Sequence, residues 1–218
     1  MITISEANAK MGNIPSFSLL PCVTCRDDAP CKKGCYAVRI SSAYLNVGKT
    51  YEENTRMAKS NLDSVKNAVE GWLAYRHPQF FRIHVAGDFF SLAYFNMWVA
   101  IARRNPDTLF FGFTKQWPII REWASTHRVL PTNLSIILSA WIPVGDPSVW
   151  MPPEDLMRRF PCAWIVREKK MEEDVRAIAS AIPFKRMKKI QKCEGHCETC
   201  GRCCHLRKVN GDVLFYYH

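Results

Sequence analysis

The sequence predicts an α/β protein: a partial or complete β/α barrel followed by a C-terminal cysteine-rich metal-binding segment. Short apolar runs typical of strands alternate with longer segments whose apolar residues recur every three or four positions, as in helices. This alternation favours a mostly parallel sheet with right-handed crossovers. The end of the chain breaks the pattern, because it is rich in cysteine and basic residues. We therefore expect a barrel-like domain over 1–184 and a basic cysteine-rich segment over 185–218, packed on the barrel.

The elements follow in order along the chain. Residues 1–50 are expected to form mostly loop, with a short strand near 17–20. A long helix is expected over 51–76, since Thr50 and Glu53 have the spacing of a capping box. The expected strands then cover 80–85, 109–115, 133–141 and 162–166, and the expected helices cover 91–104, 118–126 and 172–182. Residues 143–153 are expected to be loop, and the final VLFYYH is expected to return as a short edge strand.

The composition indicates a globular protein. Of the 218 residues, 48% are hydrophobic and 23% are charged, which is ordinary for a folded domain. No apolar run reaches the ~18 residues that a membrane-spanning helix needs. The N-terminal residues lack the basic start and apolar block of a secretory signal. We expect a cytoplasmic protein without a membrane partner.

Ten cysteines are many for a chain of this length. In the cytosol, clustered cysteines are more often metal ligands or redox groups than disulfides. Four have the spacing C-x2-C-x5-C-x3-C, and five have the spacing C-x3-C-x2-C-x2-C-C. The predicted metal ligands are Cys22, Cys25, Cys31, Cys35, Cys193, Cys197, Cys200 and Cys203. Cys204 is interpreted as a spare or an alternative to Cys203, and Cys162 as a buried core residue.

The spacing leaves two kinds of metal open. Pro21, Pro30 and Gly34 provide the bends that let the first four thiolates converge. The run from Cys197 to Cys203 has the C-x2-C-x2-C spacing of bacterial ferredoxins. We therefore predict one or two [4Fe–4S] clusters. Tetrahedral zinc is the alternative at each site, with neighbouring histidines as nitrogen ligands in the second.

The chain is basic, with a formal net charge of +10. Between Lys185 and Lys208, eight basic residues face only two glutamates. Such a run is usually a solvated surface, but around a metal knot it is also typical of nucleic-acid-binding modules. Nucleic acid or a nucleotide is therefore a candidate partner.

Three segments resemble a known family, the phage and prophage gene product 88 family: NAKMGNIPSFSLLPCVTCRDDAPCKKGCYA, FRIHVAGDFFSLAYFNMWVAIA and FFGFTK. That family resembles radical S-adenosylmethionine (SAM) enzymes, with a cysteine loop ending in Cys-Tyr-Ala and a downstream Gly-Asp-Phe. The resemblance implies a radical SAM-type barrel in which Cys25, Cys31 and Cys35 hold a [4Fe–4S] cluster whose fourth iron binds SAM. The spacing here is C-x5-C-x3-C rather than the usual C-x3-C-x2-C, and Cys22 could instead occupy the fourth iron.

The order of elements agrees with this resemblance. In radical SAM barrels the cysteine loop precedes a helix and then a strand, whose Gly-rich turn contacts the amino group of SAM. The predicted cofactor-binding residues are Tyr36, Gly87, Asp88, Lys115 and Ser139. Asp88 could accept hydrogen bonds from that ammonium at the C-terminal end of its strand. Alternatively, Gly87–Asp88 is an ordinary strand-to-helix turn with Asp88 near a helix start.

Two functions follow as hypotheses. The first is a radical SAM-like enzyme with a second, auxiliary cluster near the C-terminus, which acts on nucleic acid or a nucleotide and is supplied by an electron donor. The second is a non-catalytic protein whose zinc knots order a basic surface that binds DNA or RNA. No catalytic residue is assigned.

Overall fold

The computed structural model describes residues 1–7, 11–142, 150–169, 171–181, 190–209 and 211–216. Within these ranges strands and helices alternate. The strands are β1 Ser16–Phe17, β2 Phe80–Ile83, β3 Leu109–Thr114, β4 Leu134–Trp141, β5 Cys162–Val166, β6 Ile190–Lys192 and β7 Asp212–Tyr216. The helices are α1 Tyr36–Ala43, α2 Leu45–Ser60, α3 Leu62–Arg76, α4 Leu92–Arg104, α5 Trp117–Thr126, α6 Glu154–Met157, α7 Met171–Ser180, α8 Cys197–Cys200 and α9 Arg202–His205. A short 3₁₀ helix spans Pro30–Gly34.

The strands form one seven-stranded sheet in the order β1-β2-β3-β4-β5-β7-β6. Every neighbouring pair is parallel, which confirms the α/β class and the parallel sheet. β1 and β6 end this order, so across the described ranges the sheet is open and does not close into a barrel. Because all strands run the same way, the segments that follow β1, β2 and β3 meet at one edge of the sheet.

One face of the sheet carries the main hydrophobic core, under α3, α4 and α5. Trp98 on α4 contacts Phe17 on β1 and Phe81 on β2, with ring centroids 5.7 and 5.8 Å apart. All three side chains are fully buried, and burial of each contributes about 1.5–3 kcal/mol. This packing fixes β1, which leads into the first cysteine group, beside β2.

The opposite face of the sheet is covered by residues 193–206. Cys204 packs against Phe111 of β3, and Leu206 packs against Ile137 of β4. Cys204 is 5% exposed and Leu206 is 1% exposed. The segment therefore does have apolar anchors on the sheet, although the sequence shows no apolar periodicity there.

The helix predicted over 51–76 is interrupted. Asn61 separates α2 from α3, and its side-chain oxygen accepts a hydrogen bond from the Ser64 amide at 2.9 Å, which caps α3. The predicted cap at Thr50 is wrong, because Thr50 lies inside α2. The interval 1–50, expected to be mostly loop, contains α1 and the start of α2.

Two strands also differ from prediction. β2 ends at Ile83 because His84 has φ +64°, a left-handed conformation that breaks the strand. β7 is not an edge strand, since it pairs with β5 on one side and β6 on the other. Residues 143–149 of the predicted loop, the end of the helix predicted to reach 182, and the boundary predicted at 184/185 lie outside the described residues.

Candidate functional site

The first cysteine group lies in the loop that follows β1, which we call the cysteine loop (residues 21–35). The chain enters it through Cys22, whose φ of +65° turns the backbone sharply. It leaves through the 3₁₀ helix, which begins at Pro30, and Cys35 is the residue that precedes α1. The loop thus sits at the C-terminal ends of β1, β2 and β3.

The four thiols of this loop are neighbours in space. The thiol of Cys22 hydrogen-bonds with that of Cys35, and burial followed by repulsion from Cys35 raises the pKa of Cys22. Burial, followed by repulsion from the Asp88 carboxylate, raises the pKa of Cys25 to about 12, and Cys31 adds to that rise. Crowded thiols of this kind stay protonated unless a metal cation compensates their charge.

Asp88 is the polar centre of the same edge. Its side chain is buried at 4% exposure. Its Oδ1 accepts hydrogen bonds from the Phe89 amide at 2.8 Å and from Thr114 Oγ1 at 2.6 Å, and its Oδ2 accepts one from the Lys115 amide at 2.8 Å. Asp88 does not cap α4, because Ser91 does so through the Tyr94 amide. It instead ties the end of β2 to the end of β3.

Thr24 connects the cysteine loop to this polar centre. Its Oγ1 accepts a hydrogen bond from the Asp88 amide at 3.1 Å, and its carbonyl accepts one from Gln116 Nε2 at 3.2 Å. Gly87 has φ +82°, and a Cβ there would lie 2.6 Å from Leu19 Cβ and 2.8 Å from Thr24 Oγ1. Only glycine fits this close approach of the turn to the loop.

Aromatic residues hold the outer part of the loop. The Arg26 guanidinium lies 4.7 Å from the ring centroid of Trp117 and 5.3 Å from that of Trp150. Arg26 also pairs with Asp28. Tyr36, which follows the last cysteine of the loop, donates a hydrogen bond from its phenol to the Val85 carbonyl at 2.7 Å.

The structure brings most of the predicted cofactor residues together. Gly87 and Asp88 lie in the turn after β2, and Tyr36 donates a hydrogen bond to the Val85 carbonyl of the same turn. The Lys115 ammonium is close enough to oppose the rise in the pKa of Cys25. Ser139 is buried within β4, in register with Ala163 of β5, and the structure gives it no contact with the cysteine loop.

Sequence reasoning missed several residues of this site. Thr24, Thr114, Gln116 and Arg26 had no motif to identify them. The one available signal was position: Thr24 and Arg26 lie inside or beside the first C-x2-C pair, and Thr114 and Gln116 flank Lys115.

The second cysteine group lies on the opposite face of the sheet. A cavity of about 390 Å³, counted with the space open to solvent, is lined by Cys193, Cys197, Cys200, Cys203 and Cys204 together with Ile14 and Phe111. Burial, followed by repulsion from Cys197 and Cys193, raises the pKa of Cys203 to about 12. The four cysteines predicted as the second ligand group thus line one cavity, and their role as metal ligands stays a prediction.

Arg82 is a cation beside this second group that was not predicted. Its guanidinium opposes the rise in the pKa of Cys203 and lies 5.2 Å from the ring centroid of Phe113. It also donates a hydrogen bond to the His84 carbonyl at 3.1 Å. A fixed cation at this distance favours anionic thiolates over neutral thiols.

Neither cysteine group forms a closed ion site as it stands. Across the described ranges, no three or more His, Cys, Asp or Glu side chains are arranged so that they could hold a metal ion. No disulfide joins the ten cysteines, all of which the structure describes. Cys162 is fully buried in the main core, which confirms its interpretation as a core residue.

Comparison with known proteins identifies the family of this chain. The gene product 88 family model matches residues 3–206. The chain belongs to the gene product 88 family. One similar protein is the gene 88 protein of Mycobacterium phage L5, which is 29% identical over 119 residues, covering 50% of this chain and 48% of that protein. The match thus spans about half the length of the phage relative.

No solved structure matches the chain. Among the helices within the described residues, none has both the length and the apolar character needed to cross a membrane. The match of the family model confirms the resemblance to the gene product 88 family. The radical SAM character of this chain remains a prediction.

Proposed function

We propose that the chain is an iron–sulfur protein of radical SAM type, with a [4Fe–4S] cluster in the cysteine loop. The observation that carries this proposal is the gathering of four thiols at the C-terminal edge of a parallel sheet, beside the buried Asp88. Ligand sites in open parallel sheets lie at this edge.

The chemistry of the donor set fits such a cluster. Burial and the neighbouring thiols raise the pKa of Cys22 and of Cys25, so this crowded group of thiols, with Lys115 nearby, suits a cationic group that binds thiolates. In a [4Fe–4S] cluster each thiolate binds a different iron, so the thiolate sulfur atoms stand farther apart than the four that bind a single tetrahedral zinc ion.

Cys25, Cys31 and Cys35 are the three proposed protein ligands. Cys22 occupies a strained left-handed position and hydrogen-bonds with Cys35, which suits a loop residue better than a fourth ligand. Held by these three residues, a cluster with one iron free of protein ligands would supply the electron for reductive cleavage of SAM.

The chain's own residues then have separate roles. Asp88 Oδ2 accepts one hydrogen bond from protein and keeps capacity for a second, which the SAM ammonium would use. Lys115 is the proposed partner of the SAM carboxylate. Gly87 lets the turn approach the loop, and Tyr36 fixes that turn through the Val85 carbonyl.

The second cysteine group is the proposed site of the auxiliary cluster. Its four thiols, Cys193, Cys197, Cys200 and Cys203, line one cavity with Arg82 nearby. Nucleic acid or a nucleotide is the proposed substrate class, because the segment around this cavity is strongly basic.

The test starts from anaerobically purified protein. We expect a brown protein with absorbance near ~400 nm that bleaches with dithionite, as [4Fe–4S] clusters do. Electron paramagnetic resonance of the reduced protein should change when SAM is added, and 5′-deoxyadenosine should form. The triple variant Cys25→Ala/Cys31→Ala/Cys35→Ala should lose about half of the iron if both clusters are present.

Two controls make the result decisive. Cys162→Ala removes a cysteine outside both groups and should keep all the iron. Cys22→Ala should keep the N-terminal cluster and its response to SAM. Loss of that cluster in Cys22→Ala, with no response to SAM in the parent, would mean a closed four-cysteine site. A colourless protein with stoichiometric zinc would favour the zinc-knot alternative.

A further inference from the structure

The exposed apolar side chains are concentrated beside the cysteine loop. Of ten large hydrophobic side chains that are exposed within the described residues, five lie between residues 36 and 45. They are Tyr36, Val38, Ile40, Tyr44 and Leu45, at 49%, 38%, 41%, 64% and 73% exposure. We call this surface the α1 patch. Tyr36 and Ile40 are four residues apart on α1 and therefore adjoin on its surface, and adjoining exposed apolar side chains mark an interaction site.

The helix that carries the patch is held on one side only. Ala37 is the buried residue of α1, and it packs with Tyr51 and Ala86. At Gly48, a Cβ would lie 2.6 Å from the Ser41 carbonyl oxygen, so α1 and α2 approach closely at that point. The remaining side of α1 faces solvent with its apolar residues, although the helix is firmly placed.

The patch has a positive rim. Residues 29–51 contain Lys32, Lys33, Arg39 and Lys49 but no aspartate or glutamate. Lys32 pairs with Asp27 at 2.9 Å. The other three side chains are exposed, and within the part of the chain that the structure describes they form no ion pair. The rim therefore complements a surface rich in carboxylates.

The patch also begins at the proposed metal site. Cys35 precedes α1 directly, and the half-exposed Tyr36 reaches the turn after β2 through its phenol. A protein seated on the patch would thus lie against a ligand of the cysteine loop. Val38, Ile40 and Leu45 give a nucleic acid nothing to bind, because interfaces with nucleic acid are polar and positively charged.

We propose that the α1 patch is the docking surface for an acidic one-electron carrier protein of the ferredoxin class. This proposal rests on the proposed function, because it assigns the route by which the cysteine-loop cluster is reduced. One electron would leave the reduced [2Fe–2S] centre of the carrier, and a cluster held by Cys25, Cys31 and Cys35 would accept it. The carrier is oxidised by one electron, the cluster is reduced by one, and no bond or proton changes.

The chain offers a matched pair of variants. Arg39→Glu/Ile40→Ser removes one cation and one exposed apolar side chain from the patch. Arg128→Glu/Val129→Ser makes the same charge reversal and replaces an exposed valine instead of an isoleucine, at a site before β4 near the N-terminal ends of the strands. Both variants change the net charge equally, so a difference in ferredoxin binding between them shows where on the surface the carrier binds.

The probe is a plant-type [2Fe–2S] ferredoxin with an acidic surface, measured in two ways. Its binding to each anaerobically purified variant is followed by titration calorimetry, and cluster reduction is followed by stopped-flow absorbance at low and physiological ionic strength. We expect Arg39→Glu/Ile40→Ser to lose binding and to slow ferredoxin-driven reduction about tenfold or more. The Arg128→Glu/Val129→Ser control and the parent should both bind, and salt should weaken both.

Other outcomes are also decisive. Equal binding by the two variants overturns the proposal, as does a patch that binds single-stranded DNA but not ferredoxin. Dithionite should reduce the patch variant as well as the parent. If the variant loses iron, the pair Tyr44→Ser/Lys49→Glu outside α1 replaces it and should lose ferredoxin binding in the same way. If the parent protein binds ferredoxin through the patch but contains no iron, the docking site stands and the proposed function is refuted.

Discussion

Gly87 provides the sharpest test of how the turn after β2 meets the cysteine loop. A methyl group at this position would lie 2.6 Å from Leu19 Cβ and 2.8 Å from Thr24 Oγ1. The backbone φ of +82° adds a second penalty for any residue with a Cβ. The left-handed conformation costs alanine roughly 1–2 kcal/mol, and overpacking a closed contact costs about 1–3 kcal/mol.

Gly87→Ala should therefore lower the free energy of unfolding by roughly 2–5 kcal/mol. Gly71→Ala is the matched control, because Gly71 lies inside α3 and a Cβ there meets no atom within 4 Å. The same substitution should raise the free energy of unfolding there by about 0.5–1 kcal/mol. The two changes thus differ in sign as well as in size.

Equilibrium unfolding in urea under anaerobic, reducing conditions measures both variants against the parent. Iron content provides a second readout, since displacing Thr24 moves the segment between Cys22 and Cys25. We expect Gly87→Ala to unfold at lower urea and to bind less iron. If Gly87→Ala unfolds at the same urea concentration as the parent, or later, the close approach of the turn to the loop is wrong.

Three further predictions follow. Burial, followed by the Arg82 charge, lowers the pKa of His84 to about 3 from 6.5. The stability from the neutral imidazole is therefore present above pH 6.5 and is lost as the pH falls toward 3. Asparagine tolerates positive φ and does not titrate, so only the parent should lose stability through residue 84 as the pH falls. The difference in the free energy of unfolding between the parent and His84→Asn should therefore shrink by roughly 2 kcal/mol between pH 7 and pH 5 in urea unfolding. A difference that stays constant contradicts this. The carboxylate of Asp212 accepts hydrogen bonds from the Cys162 amide at 2.8 Å and Trp164 Nε1 at 2.9 Å. Asp212→Asn should cost about 1–3 kcal/mol in thermal unfolding, and an unchanged melting temperature would show that these bonds contribute nothing. Cys197→Ser/Cys200→Ser should expose residues 185–208 to trypsin while the rest resists, because metal binding couples to the order of such segments; full protection would contradict a metal site.

The strand pattern could be predicted because each strand carries its own signal. β3, β4 and β5 are short apolar runs between helices, and their observed bounds lie within one residue of expectation. The break at Asn61 could not be predicted in the same way. Asparagine favours helix N-caps, but the apolar spacing continues across residue 61, so the pattern alone predicts one continuous helix.

The site could be predicted only as far as chain order allows. The spacing of the cysteines and the Gly-Asp turn after a strand place Cys25 and Asp88 at one edge of a parallel sheet. The hydrogen bonds from Thr114 and Lys115 to Asp88 depend on the register of β2 with β3, which no local pattern encodes. α1 was missed because only Ala37 of that helix is buried, so its larger apolar residues do not mark a face that packs on the core.

The strand order β5-β7-β6 has a consequence for assembly. β6 precedes β7 in the chain, yet β7 lies between β6 and β5. Until β7 enters, β5 presents an unpaired edge of the kind that invites pairing with other chains. The connection that must close to bring β7 beside β6 is the cysteine segment itself. A metal bound by those cysteines would make the connection between β6 and β7 effectively shorter, so the two strands would pair sooner. Nascent chains would then have less time in which to aggregate.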